Sequence, residues 1–182
     1  MFTIEMTGAN RDRVRLVAQD ILSETDFHAI ADTLGSKPLQ ACKTALTAAR
    51  PAKAGERIET HWNGSETVNT ANAGDWVATS LTEGGDVLRD HSGQANSYII
   101  PAADFPALYA PVEGSNEFGR FHAARGTVTA LRLSGGFDIL APWGERQTAP
   151  DGYLVLSGSE VYGNNAETFA ATYQVVTQPA QA

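Results

Sequence analysis

The spacing of apolar residues changes along this chain. Over residues 1–54 it is mostly helical. "MFTIEMTG" reads as a short strand ending at Gly8. In "NRDRVRLVAQDIL", Val14, Val17, Ala18, Ile21 and Leu22 fall on one helical face, with Asn10 as an N-cap and Asp12 in the first turn. In "TDFHAIADTLG", Thr25 caps, Phe27, Ile30, Ala31 and Leu34 form the stripe, and Gly35 stops the helix. "SKPLQACKTALTAARP" predicts a third helix, with Pro38 in its first turn, Leu39, Cys42 and Leu46 as its stripe, and Pro51 ending it. The first 54 residues are therefore expected to form an N-terminal helical segment.

From Ile58 the period shortens and turn residues multiply. "RIETHW", "ETVNTA", "DWVATSL" and "NSYIIP" predict short strands, and "AADFPALY" a short helix. "APVEGSNEFGRF" reads as a linker, placed at 113–123. Then "GTVTALRLSG", "FDILAPWG", "YLVLSG" and "SEVYG" predict more strands. "NNAETFAATY" predicts a helix capped by Asn165 with Glu167 in its first turn. "QVV" makes a last strand, and 177–182 a tail.

The two β-rich stretches repeat one another. Phe105 and Tyr109 recur as Phe169 and Tyr173, and Tyr98 recurs as Tyr162 at the same offset of 64 residues. Trp76 sits opposite Tyr153, and Trp62 lies near Trp143 in the comparison. The extra residues of the first copy fall in an insertion at 81–97. The expected fold is α+β, with the helical segment followed by two tandem β-rich repeats, 55–112 and 124–176, each ending in a short helix. "AGD" before Trp76 and "PDG" before Tyr153 are turn chemistry. Phe-x-x-x-Tyr puts two rings on one helical face, the arrangement of a core pair.

The second stretch, "TVTALRLSG", "APDGYLV", "SGSEVYG" and "FAATY", resembles small phage and prophage proteins of the PGDYG type. The first stretch resembles them through Gly74-Asp75-Trp76 and "YIIPAADFPALYAPV". Asp151-Gly152 inverts the usual Gly-Asp order, and Gly163 stands where Pro is usual. The resemblance implies a β-rich module of phage-related ancestry, present twice. It implies no activity.

Composition narrows the function classes. The 182 residues hold enough apolar side chains, 42%, for a core without disulfides. A formal net charge of -8 opposes direct nucleic-acid binding. No apolar run is long enough to span a membrane, the start lacks a secretory pattern, and Cys42 is alone, which together point to the cytoplasm. No motif specifies a cofactor, and none fixes the oligomeric state. No pair among His28, His61, His91 and His122 has recognised metal-ligand spacing. Asp86, Asp90 and His91 lie together in the polar insertion, either as a solvated loop or as metal ligands. Asp75 and Asp151 occupy matching turns, as caps or as an acid–base pair.

The aromatic residues carry the sharper expectation. Trp62, Trp76, Trp143 and Tyr153, with His61 and His91, are the candidate ligand-binding residues; the competing account makes the rings core. The leading function is a non-catalytic binding or interaction module of phage or prophage type, with a groove between the repeats for a small molecule or a protein partner. The alternatives are a small hydrolase using His and carboxylates at the inter-repeat cleft, and an acidic decoy of a nucleic-acid-binding protein.

Overall fold

The computed structural model describes residues 1–62 and 65–176. Among these, the chain runs β1 (Phe2–Thr7), β2 (Arg13–Ile21), α1 (Glu24–Leu34), β3 (Leu39–Lys43), β4 (Thr47–Pro51), β5 (Arg57–Trp62), β6 (Ser65–Thr70), β7 (Trp76–Ser80) and β8 (Ser97–Ile100). It continues as α2 (Phe105–Leu108), β9 (Tyr109–Asn116), β10 (Gly119–Ala124), β11 (Val128–Leu133), β12 (Phe137–Leu140), β13 (Arg146–Ala149), β14 (Gly152–Ser157), β15 (Glu160–Asn165), α3 (Ala166–Thr172) and β16 (Tyr173–Val175). The fold is mostly β, with three short helices among the described residues. This overturns the α+β expectation and its N-terminal helical segment.

Only the second of the three helices expected before residue 55 exists. It is α1, where a capping box at Ser23 and Asp26, and Gly35 at φ +57°, fix the two ends. The first became β2. Leu16 and Ala18 are both buried, two residues apart, which is strand spacing. The third became β3 and β4. Alanine favours helices, yet Ala41, Ala48 and Ala49 are buried between neighbouring strands, and tertiary packing overrode local propensity. The expected linker at 113–123 falls on the antiparallel β9–β10 hairpin. The tail at 177–182 lies outside the described residues.

The chain divides into two compact units. The first holds Met1–Cys42, Thr127–Ala170 and the stretch from Gln174 on; the second holds Lys43–Gly126 with Ala171–Tyr173. In the first unit, a four-stranded sheet runs β1-β2-β12-β13, with β2 and β12 parallel. A five-stranded sheet runs β15-β14-β11-β3-β16. In the second unit, a five-stranded sheet runs β8-β7-β4-β10-β9, beside the hairpin β5-β6. β3 precedes β4 in the chain but pairs with β11, while β10 precedes β11 but pairs with β4. Each five-stranded sheet thus receives a strand whose chain neighbour belongs to the other sheet.

The first unit's core joins Leu16, Phe27, Ile30, Leu131, Leu133, Phe137, Ile139, Leu154 and Val161. Gly152 and Gly163 belong to this packing, because a Cβ at either would meet the Phe137 ring, at 2.6 Å and 2.3 Å. The second unit's core is smaller: Ala49, Ala78, Ile100, Phe105 and Tyr109, with Trp76, Tyr98 and Ala124 against them.

Candidate functional site

The second unit carries an open pocket of about 330 Å³, lined by Arg57, Ile58, Glu59, Gln94, Ala95, Ser97 and Phe118. Three parts of the chain build it: β5, the excursion 81–97 ending in β8, and the β9–β10 turn. The excursion is well tied. Bridges join Leu81 to Val87 and Arg89 to Ala95. Asp90 Oδ1 accepts from the Ser92 amide at 2.8 Å, the Ser92 hydroxyl at 2.6 Å and the Gln94 amide at 2.9 Å. Gln94 Nε2 donates to the Glu59 carbonyl at 3.2 Å, fastening the excursion to β5. The Arg89 guanidinium lies 5.9 Å from the Phe118 ring centroid and donates to the Gly93 carbonyl.

Charge fixes the entry to β5. Arg50 holds Glu56 in a two-pronged pair, at 3.0 Å and 2.5 Å, and the Lys53 amide donates to the same carboxylate at 2.9 Å. The Arg50 hydrogen bonds, helped by the Lys53 amide, pull the Glu56 carboxyl down to about 2. Arg57, the next residue, therefore starts β5 from a fixed point. Arg57 and Glu59 are two residues apart on a strand, so they share a face.

The sequence-selected residues divide between the units. Trp76 is half-buried, its ring 4.2 Å from Phe105 and nearly parallel, with the His122 edge against both. Tyr153 stacks on Phe169 at 4.1 Å, with the Arg132 guanidinium 5.0 Å from its ring centroid. Trp143 is exposed; its indole donates to Glu145 at 2.7 Å and its ring lies tilted against Tyr162. His91 sits exposed in the excursion's turn. His61 and Trp62 fall on the backbone of β5, and their side chains lie outside the described residues. The aromatic residues thus form separate local pairs: Trp76 with Phe105, Tyr153 with Phe169, and Trp143 with Tyr162.

The other candidate chemistry has structural work. The Asp75 carboxylate accepts from the amides of Asn72 and Ala102, closing its turn. Asp151 pairs with Arg132, whose hydrogen bond holds the carboxyl below its ordinary range. Buried His122 donates through Nδ1 to the Arg120 carbonyl at 2.8 Å. Among the described residues, no group of three or more His, Cys, Asp or Glu is placed to hold a metal ion, so Asp86, Asp90 and His91 do not converge. Among them, too, no helix is long and apolar enough to cross a membrane.

Sequence reasoning missed two things. It singled out the excursion for its polarity but gave no sign of its partners, β5 and Phe118, which only the sheet brings near. It also missed Lys43, whose ammonium is enclosed by Thr47, Tyr98 and Tyr109 at 3.0–3.4 Å. The expected helix would have put Lys43 on a solvated face.

Comparison with protein-family models, curated proteins and solved structures found no match in any of the three.

Proposed function

We propose that this protein is a non-catalytic binding module acting in the cytoplasm, and that its ligand is a small zwitterion of the amino-acid or short-peptide class. The observation that carries the reading is the pocket on the second unit, where Arg57 and Glu59 present opposite charges beside the Phe118 ring. Arg57 suits the ligand's carboxylate as a planar, two-pronged donor. Glu59 suits its ammonium. Gln94 and Ser97 add polar contacts, and Phe118 an apolar wall. The single thiol, Cys42, is free and fits a reducing compartment.

The PGDYG-type ancestry and the duplication belong to this proposal. The duplication is supported by the matching strand orders of the two five-stranded sheets, and by the paired stacks Trp76–Phe105 and Tyr153–Phe169. Duplication leaves one copy free to acquire a site, and the 81–97 excursion that walls the pocket has no counterpart in the second copy.

The test is a thermal-shift panel of amino acids and di- and tripeptides against the full chain. A ligand at about 100 times its dissociation constant adds about 2.7 kcal/mol, a rise of roughly 5–10 °C for a chain of this size. Arg57→Ala and Phe118→Ala, folded as judged by circular dichroism, abolish the rise. A flat panel, or a rise unchanged in both variants, overturns the reading.

A further inference from the structure

Lys43 presents a physical problem that the pocket does not address. Its ammonium lies 3.0 Å from the Thr47 hydroxyl, 3.3 Å from that of Tyr98 and 3.4 Å from that of Tyr109. Among the described residues no carboxylate lies within 4.0 Å of it. Lys43 is half-buried, and a cation drawn partly out of water without an anion is costly; a protein resolves the cost by removing the charge or by supplying a partner.

The geometry supplies a partner. Three groups reach the Tyr98 oxygen: the Lys43 ammonium, which donates to it, and the hydroxyls of Tyr109, at 3.2 Å, and Ser80, each able to donate. Three donors turned toward one oxygen favour its anionic form, as backbone amides do for a carboxylate. We propose that Lys43 and Tyr98 form a half-buried ammonium–phenolate pair, a proton-transfer site in which Tyr98 is the base and Lys43 its fixed counter-charge. The Tyr98 O–H bond breaks, its proton leaves to solvent, and the electron pair stays on the oxygen. Tyr109 remains neutral and donates to that oxygen.

The titratable groups facing the pair come from each strand around it: Tyr98 from β8, Tyr109 at the start of β9 and Tyr173 at the start of β16, with the neutral Thr47 hydroxyl of β4 accepting from Lys43 and the neutral Ser80 hydroxyl of β7 beside Tyr98. Burial opposes ionisation of Tyr98, but the Lys43 charge, with the hydrogen bonds from Tyr109, Ser80 and Lys43, overrides it and holds the phenol below its ordinary 10.0. Burial and the neighbouring Tyr98 push the Tyr109 phenol the other way, so the two tyrosines separate into base and donor. Burial works against the Lys43 charge, and the three tyrosines around it more than restore it.

The experiment is a titration of the full-length protein with ring-labelled tyrosine, followed by carbon NMR from pH 6 to 12, with circular dichroism to confirm folding. One of the five tyrosines ionises below 10, and Tyr98→Phe removes that resonance. Lys43→Met returns it above 10 where that variant folds, and Tyr109→Phe raises it by removing one donor. Five tyrosines that all ionise at or above 10 in the wild type overturn the pair. A low-titrating resonance that survives Tyr98→Phe overturns it as well.

Discussion

Trp76 and Phe105 stack face to face, with ring centroids 4.2 Å apart and planes 6° from parallel. Phe105 stacks in turn on Tyr109 at 5.4 Å, and the buried His122 closes the cluster edge-on. The second unit's core is otherwise small, with Ala49, Ala78 and Ile100, so the Phe105 and Tyr109 rings are its largest buried side chains. Trp76→Ala is expected to cost about 3 kcal/mol and Trp76→Phe much less, read from urea unfolding midpoints. Equal losses from both would mean that the stack contributes little.

In the first unit the same dependence falls on Phe137, whose ring lies over two glycines. A Cβ at Gly163 would sit 2.3 Å from that ring, so Gly163→Ala is expected to cost about 1–3 kcal/mol by overpacking. The double variant Gly163→Ala/Phe137→Leu should be less destabilised than the sum of the single changes, because the smaller side chain makes room. Strict additivity in calorimetry would show that the clash is relieved elsewhere. Phe137 thus leaves no room for a side chain at Gly163.

How legible all this was in the sequence depended on which forces act locally. Gly35 ended α1 as expected, and Asn165 accepts from the Glu167 amide at the start of α3 as expected, because caps are local. The strands from Arg57 to Trp62, Trp76 to Ser80 and Gly152 to Ser157 were legible from alternation and turn residues. β2, β3 and β4 were not. Their alanines and valines satisfy helical spacing as well as strand spacing, and the choice was made by partners far along the chain, such as β11 for β3 and β10 for β4. The same non-local pairing hid the Lys43 cluster and the Phe118 wall of the pocket. The stacking of Trp76 and Tyr153 on the helix phenylalanines was half legible: the rings were noticed, and core was the competing account.

Acid should weaken the fold through Glu56. Hydrogen bonds from Arg50 and the Lys53 amide depress this carboxyl from 4.5 to about 2. A depressed carboxyl contributes stability that is present above its unfolded value and is lost as pH falls toward its folded value. The wild type therefore loses this contribution between pH 4.5 and about 2. Glu56→Gln lacks it at every pH, so the gap in melting temperature between the two proteins is expected to be wide at pH 7 and to close by pH 2. A constant gap would place the effect of the substitution in packing instead.

Arg57 and Glu59 should contribute differently to ligand binding. Arg57→Lys keeps the charge but loses the planar fork, and a loss of about tenfold in affinity is expected by calorimetry. Raising salt from low to physiological ionic strength should weaken binding modestly, since the pocket is open to solvent. Insensitivity to both changes would argue for an apolar ligand held by Phe118.

The most direct test of the binding account is a map of amide chemical shifts in the labelled full chain on titration with a tripeptide zwitterion. The account predicts saturable shifts clustered at Arg57, Ile58, Glu59, Gln94, Ala95, Ser97 and Phe118. Shifts clustered instead around the exposed Trp143 and Tyr162, or none at millimolar ligand, would contradict it.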